Sequence, residues 1–313
     1  MTLRPLVSVV IPVYNGGRFL EHTLNSVLAQ TYRPIEIVAV DDGSSDDSCE
    51  VIRRTAPETR LIRQPNHGVG VARNRGVLES RGEYVCFLDQ DDWWEAEKVE
   101  RQAACFARPD VGLVHTAARY FADQDGTWRV SPDETADPAE LVGHCRERLL
   151  LGNAICNSSV MVRRALFAQT GLCSLKIRGN TVQDYDLWLR FAAVCEFAYI
   201  AEPMTVFRIH SAQGTNDRRG MLREQTAMLE RVLRGEPAST RRAIRKRMAE
   251  LYDLLGSFDL DDHDAAAARA AFRRSLRWRI RLRSLALWGV TFLPRSGVDG
   301  IRRIHYRLKG MRQ

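Results

Sequence analysis

Four residues, Asp89-Gln90-Asp91-Asp92, follow directly on the apolar run Tyr84 to Leu88. Side chains alternate along an extended segment, so Asp89 and Asp91 can face the same side. Like charges held together are costly unless something positive joins them. A hard divalent cation bound through carboxylate oxygens meets that cost, and Mg2+ or Mn2+ held this way also calls for substrate phosphates. The same four residues equally suit an acidic loop capping the helix that runs on from Trp93. Asp41-Asp42-Gly43-Ser44 repeats the pattern after an earlier apolar run. One of its carboxylates could accept hydrogen bonds from a base or ribose, and Gly43 would allow a tight turn or a close ligand. A plain strand-to-helix turn has the same composition.

Three further groups carry chemistry. Asn66-His67-Gly68-Val69-Gly70-Val71-Ala72-Arg73-Asn74 puts glycines and an arginine at a helix start, where anions are favoured and Arg73 could add a clamp. Asp184, in Gln183-Asp184-Tyr185-Asp186-Leu187-Trp188-Leu189-Arg190, suits either a cap or a general base. Leu187 and Trp188 suit the core. Arg208-Ile209-His210 sets a cation and a metal-capable imidazole on one side of an extended segment, unless His210 is merely structural. No Gly-x-Gly-x-x-Gly follows the first strand, and no Gly-x-x-x-x-Gly-Lys-Ser/Thr occurs, so neither a dinucleotide fingerprint nor a P-loop is present.

These residues need a frame. Val7 to Val13, Ile35 to Val40, Leu61-Ile62, Tyr84 to Leu88 and Val111 to Thr116 read as buried strands. Helices are expected over Phe19–Gln30, from Ser45 or Asp46 to about Arg54, over Val69–Ser80 and over Glu95–Ala107. Such alternation predicts an α/β fold with a mainly parallel sheet and helices on both faces. Ligands bind beyond the carboxyl ends of such strands, and Asn15, Asp41, Asp42, Asp89 and Asp91 all fall there. Later the pattern predicts a loop over residues 122–140, a helix over Glu140–Leu151, a strand over Asn157–Val162, a helix over Asp184–Ala193, and strands over Phe197–Ile200 and Met204–Ile209. Helices then dominate, with Leu222–Leu233, Ser239–Leu255 and His263–Leu282 as candidates.

The bulk properties narrow the class. With 313 residues, 45% hydrophobic and 27% charged, the chain can bury a core and is not a disordered polymer. Its formal net charge of +7 suits anionic partners. The seven cysteines form no Cys-x-x-Cys pair, which argues against structural zinc and fits buried thiols in a reducing compartment. No run reaches the ~20 apolar residues of a membrane span, and no signal peptide is expected.

Taken in order, Val9-Val10-Ile11-Pro12-Val13-Tyr14-Asn15, Asp41-Asp42-Gly43-Ser44, Asn66-His67-Gly68 with Ala72-Arg73-Asn74, Phe87-Leu88-Asp89-Gln90-Asp91-Asp92, Gln183 to Arg190 and Arg208-Ile209-His210 resemble family 2 of the inverting glycosyltransferases, which have the GT-A fold. The resemblance covers about residues 5–215. It implies that Pro12, Tyr14 and Asn15 lie where the first strand meets the nucleotide, with Tyr14 near the base. It gives Asp41 or Asp42 to the base or ribose, and Arg73 and Gln90 to the donor. Asp89 and Asp91 become the Asp-x-Asp element. Asp91, with His210 and Asp89, would hold a divalent cation, Mn2+ or Mg2+, Asp89 lying nearer the ribose. Asp184 becomes the catalytic base, its usual Glu-Asp pair replaced by Gln183-Asp184. Trp188 and Arg208 fall on the acceptor side, and Gly171 to Asn180 would shape the acceptor pocket.

The implied enzyme moves a sugar from a nucleotide-diphospho-sugar, UDP-sugars favoured, to a hydroxyl of a glycan or lipid-linked acceptor in surface-polysaccharide biosynthesis. Residues 1–215 form the expected catalytic domain, with the nucleotide-sugar part at about 1–117 and the acceptor part at about 118–215. Residues 216–313 form a basic helical region suited to a peripheral membrane contact or oligomerisation. The expected location is the cytoplasm or the inner face of its membrane, and no nucleic acid is expected. An inactive transferase-like binding protein and a basic nucleic-acid- or membrane-binding protein are the alternatives.

Overall fold

The computed structural model describes residues 4–129, 137–175, 182–211, 213 and 217–293. The tip of the expected 122–140 loop, the half of the acceptor-pocket stretch that follows Leu175 and the end of the basic tail lie outside the described residues. The chain divides into two compact units, Met1–Asn216 and Asp217–Gln313.

The first unit is built on one mixed sheet. It begins with β1 (Val7–Val13), α1 (Gly17–Leu28), β2 (Ile35–Asp41), α2 (Ser48–Thr55), β3 (Arg60–Arg63), α3 (Val69–Glu79) and β4 (Tyr84–Phe87). It continues with β5 (Trp93–Trp94), α4 (Lys98–Cys105), β6 (Val111–Ala122), β7 (Thr127–Arg129), α5 (Arg146–Leu149), β8 (Met161–Arg163), α6 (Ala165–Thr170), α7 (Gln183–Phe191) and β9 (Glu196–Ile209). The strand order is β3-β2-β1-β4-β8-β6-β9-β5, with β7 paired to β6. β3, β2, β1 and β4 run parallel. β8 lies antiparallel to both β4 and β6, and β9 returns parallel to β6.

The β1 sequence has no polar face because both of its faces are covered. Val9, Ile11 and Val13 pack in one cluster with Leu20, Leu24 and Val27 of α1 and Val51 and Ile52 of α2. Val10 turns the other way, toward α3: a Cβ on Gly76 would come 2.3 Å from Val10 Cγ1. Gly76 thus lets α3 lie close on the sheet, and burying each aliphatic side chain there contributes roughly 1.5–3 kcal/mol.

Several expectations need correction. The helix over Glu140–Leu151 is a 3-10 turn at Pro138–Glu140 and the single turn α5. Between them Gly143, at φ +61°, exchanges backbone hydrogen bonds with Phe197, which ends any continuous helix. The strand over Asn157–Val162 is a 3-10 turn at Asn157–Ser159 followed by β8. The two late strands are one, β9, accommodated by register shifts opposite Thr116 to Ala118. Trp93-Trp94, placed at a helix start, pairs antiparallel with β9 as β5, so the helix begins only at Lys98. The seven cysteines are all free.

The second unit is helical: α8 (Arg218–Leu233), α9 (Ala238–Asp261), α10 (Ala265–Trp278) and α11 (Leu282–Val290). Leu260, Ala268 and Phe272 form a core covered by Leu287, Trp288 and Val290. A Cβ on Gly256 would come 2.7 Å from the Phe272 ring, so this glycine sets the α9–α10 approach. α11 was not anticipated as a separate helix. Among the described residues no helix is long and apolar enough to cross a membrane.

Candidate active site

The carboxyl ends of β1, β2 and β4 meet the starts of α3 and α7 and the end of β9. Where β1 stops, Asn15 turns to φ +50° and its side-chain oxygen accepts from the Ser45 amide at 2.8 Å. Pro12 is buried and Tyr14 is exposed beside it. Gln90 clasps Tyr14 from the acidic loop, accepting from its amide at 2.8 Å and donating to its carbonyl at 3.1 Å. The Gln90 amide is therefore spent on holding the β1 turn. Gly16 makes room for it, since a Cβ there would come 2.2 Å from Gln90 Oε1.

Asp41 and Asp42 are both buried and both engaged. Asp41 accepts from the Ser44 amide and from Arg63 Nε, each at 3.1 Å. Burial opposes its ionisation, but the hydrogen bonds from Ser44 and Arg63 outweigh it and hold the carboxyl below its ordinary range. Asp42 accepts from Gln64 Nε2 at 2.7 Å and from the amides of His67 at 3.0 Å and Gly68 at 2.8 Å. The free amides ahead of α3, expected to attract an anion, thus already hold one from within the chain.

Arg73, on α3, is buried and donates to Asp89 Oδ1 at 2.7 Å. Asn157 Nδ2 donates to the same oxygen at 3.1 Å. Burial disfavours the Arg73 charge, yet the carboxylates of Asp89 and Asp184 more than restore it, so its pKa lies above the usual value. Asp184 stands in the first turn of α7, within electrostatic range of Arg73 and Asp89. Burial pushes its carboxyl above the ordinary range, with Arg73 pulling the other way. Gln183 beside it lies over α3, where a Cβ on Gly70 would come 1.7 Å from Gln183 Oε1.

Asp91 pairs with His210, Oδ2 to Nε2 at 2.8 Å, and the His210 ring packs 4.6 Å from that of Phe19. Asp92 turns inward instead. It accepts from Ser158 Oγ at 2.5 Å and from the Arg208 amide at 3.0 Å. Burial, with Asp91 and Asp89 nearby, raises its pKa well above the carboxylate range. Among the described residues no three His, Cys, Asp or Glu side chains converge as a metal cluster. Asp91 and His210 are two donors, and Asp89 is turned to Arg73 and Asn157. A pair of protein ligands still fits a Mn2+- or Mg2+-type ion that takes most of its oxygens from substrate phosphates and water.

Two residues placed on the acceptor side do other work. Trp188 has no exposed surface and packs on Phe87 and Phe191, so it is core. Arg208 is a buried strut. It donates to the Asp91 carbonyl at 2.9 Å and to Asp123 Oδ1 at 2.7 Å, lies 3.1 Å from His22 Nδ1, and rests over the rings of Phe19 and Trp93. Asn157, Ser158 and Asp123 were missed because the first two sat in an apparent strand and the third in an apparent loop. The polar triplet Asn157-Ser158-Ser159 inside an apolar run was the available signal.

A mixed sheet flanked by helices, with an acidic loop, a basic helix start and a late carboxylate at the ends of its strands, is the fold of the GT-A glycosyltransferases. The chain belongs to glycosyl transferase family 2, whose family model matches residues 8–168. It is a glycosyltransferase. It is 31% identical over 236 residues to an uncharacterized glycosyltransferase of Rickettsia typhi, covering 72% of this chain and 71% of that one. It is 31% identical over 195 residues to Bacillus subtilis TuaG, whose name assigns it provisionally to teichuronic acid biosynthesis, covering 59% and 71% respectively. Among solved structures it is similar to S. aureus TarS (1-349) in complex with UDP-GlcNAc, with TM-score 0.65, 16% identity, and coverage of 97% of this chain and 92% of that one. It is also similar to the mannosyltransferase PcManGT from Pyrobaculum calidifontis in complex with GDP-Man and Mn2+, with TM-score 0.62, 19% identity, and coverage of 92% and 79%.

Proposed function

We propose that this chain is an inverting, metal-dependent transferase that moves a sugar from a UDP-sugar to a hydroxyl of a glycan or lipid-linked acceptor in cell-surface polysaccharide biosynthesis. The observation that carries this reading is the gathering of Asp184, Arg73 and Asp89 beside the Asp91–His210 pair. The raised pKa of Asp184 suits a base that takes the acceptor proton as its oxygen attacks the anomeric carbon. Attack from the face opposite the leaving group inverts the configuration, and one base suffices because the departing diphosphate needs charge stabilisation more than a proton. A divalent ion, when bound by Asp91 and His210, supplies that stabilisation. Arg73 adds a fixed cation, and Asp89 is held toward the ribose side. Residues up to about 117 receive the donor, and residues 118–215 shape the acceptor side. The helical unit is the part that meets a membrane surface. The teichuronic acid role in the name of TuaG supports the polysaccharide part of this reading, and the UDP-GlcNAc complex of TarS supports the UDP-sugar part.

The test is a panel of UDP-, GDP- and dTDP-sugars with mixed glycan and lipid-linked acceptors, read by nucleotide release with Mn2+, Mg2+ or EDTA. We expect release with a UDP-sugar and a divalent ion. Asp184→Asn should lower kcat by on the order of 100-fold or more while donor binding persists. Asp91→Ala should abolish metal-dependent nucleotide binding. No release from any donor, together with no metal-dependent binding of any nucleotide, would reject the proposal.

A further inference from the structure

The charge of this chain is unevenly shared between its units. Residues 217–313 hold 23 Lys and Arg against 11 Asp and Glu, whereas residues 1–216 hold 23 against 28. Four of the helical unit's cations share one face of α9. Arg241, Arg242, Arg245 and Lys246 recur at helical spacing in the first half of α9, all exposed. With Trp278 and Arg279 from the end of α10 they line a cleft of about 380 Å³, and among the described residues no acidic side chain lines it. Of the acidic residues further along α9, Asp253 accepts from Ser284 and lies 3.7 Å from Arg281, and Glu250 lies 3.9 Å from both Arg247 and Arg281.

This arrangement works against the helix that carries it. The first turn of α9 contains no acidic residue, and Arg241 and Arg242 sit near the positive end of its dipole, where cations are disfavoured. Repulsion among four neighbouring cations adds to that cost. An anion on this face would remove both penalties.

The segment after the cleft indicates what kind of anion. Ile280 is 79% exposed and Leu282 is 87% exposed, and Arg279, Arg281 and Arg283 alternate with them. Isolated exposed aliphatics are common on protein surfaces. Arg281 is half-buried and paired with Glu250 and Asp253, but two exposed aliphatics interleaved with Arg279 and Arg283 beside the basic cleft match an interface with phosphate outside and hydrocarbon just below. A nucleic acid would use the cations but gain nothing from Ile280 and Leu282, and among the described residues only one aromatic ring, that of Trp278, lines the cleft.

We propose that the α9 face Arg241-Arg242-Arg245-Lys246, with Trp278 and Arg279, binds the phosphate head groups of an anionic lipid bilayer while Ile280 and Leu282 enter its interface. The inference deepens the reading of the chain as a transferase that works at a membrane, and it assigns the contact to a specific face. Each cation near such a surface is worth roughly fivefold in partition.

The experiment is co-sedimentation of the 313-residue chain with vesicles of phosphatidylcholine alone or of phosphatidylcholine with phosphatidylglycerol. Nucleotide release from the donor is measured on the same samples. The variants are Arg242→Gln/Arg245→Gln/Lys246→Gln and Ile280→Ser/Leu282→Ser, each checked by circular dichroism. We expect binding only to the anionic vesicles and weakening with added salt. The triple variant should lose on the order of 100-fold in partition, the double variant should bind less even at low salt, and donor turnover should persist in both. Free pyrophosphate that displaces the protein from vesicles at millimolar or lower concentration would identify a soluble phosphate ligand and overturn the bilayer assignment. A ribo-oligonucleotide bound equally well by wild type and by Ile280→Ser/Leu282→Ser would overturn it in favour of nucleic acid. Unchanged vesicle binding in both variants, with turnover intact, would reject this face and leave the transferase reading standing.

Discussion

Asp184 and Asp92 both carry raised pKa values, for reasons that separate their roles. Asp92 is sealed in by Ser158 and the Arg208 amide, whereas Asp184 faces the Arg73–Asp89 pair. A base must be ionised to act, so activity should fall as pH drops through the Asp184 pKa. That acidic limb should lie above the ordinary carboxylate range, about 3.9 for Asp. Because Arg73 pulls the Asp184 pKa down, Arg73→Gln should move the limb to higher pH. A kcat/KM profile across pH 4–9 measures both; a limb that Arg73→Gln shifts downward would contradict the assignment. Arg208 makes a different prediction. Removing a buried, stacked and multiply bonded arginine should cost about 2–4 kcal/mol in denaturant unfolding for Arg208→Ala. Arg208→Lys should recover only part of this, because an ammonium cannot reproduce the guanidinium fork. Equal stability of the two variants would count against the strut.

At the scale of elements, the site depends on how closely α3 and α7 approach. Gly70, in the first turn of α3, leaves the space that Gln183 fills at the start of α7. Gln183 is buried, so its side chain cannot simply swing away. Gly70→Ala should displace it, and with it the neighbouring Asp184. Overpacking of this kind typically costs about 1–3 kcal/mol, and a base misplaced by about 1 Å can cost on the order of 100-fold in rate. Donor affinity should change much less than kcat, and steady-state kinetics alongside donor titration would show the split. The late strands show why elements were harder to place than residues. Phe197–Ile200 and Met204–Ile209 read as two strands because Glu202-Pro203 interrupts the apolar pattern, yet β9 runs on by shifting register against β6.

For the whole molecule, donor and metal should act as one ligand. Anything that binds only the native state stabilises it by mass action, by ~2.7 kcal/mol at 100 times its Kd. UDP and Mn2+ together should therefore raise the Tm of the catalytic transition by several degrees, and each alone should raise it much less. The synergy should vanish in Asp91→Ala. Differential scanning fluorimetry with the four combinations is the measurement, and additive shifts from UDP and Mn2+ would argue against a shared site.

The sequence by itself determined the alternation of strands and helices as far as β4, because β1, β2 and β4 are buried on both faces and leave unbroken apolar runs. It also determined that Asn15, Asp41, Asp42, Asp89 and Asp91 sit where those runs end, since polar residues at the ends of buried strands have no other place. What those polar groups touch was decided only by the tertiary structure. Asp91 meets His210 across 119 positions of the chain, and Asp89 meets Arg73 and Asn157 from two other segments. Gln90, expected at the donor, is bound to the Tyr14 backbone, and Arg208, expected on the acceptor side, is a strut. The physical reason is common to all of these. Periodicity records burial along the chain, but a carboxylate's partner, and hence its charge state, depends on which distant segments folding brings within about 3 Å.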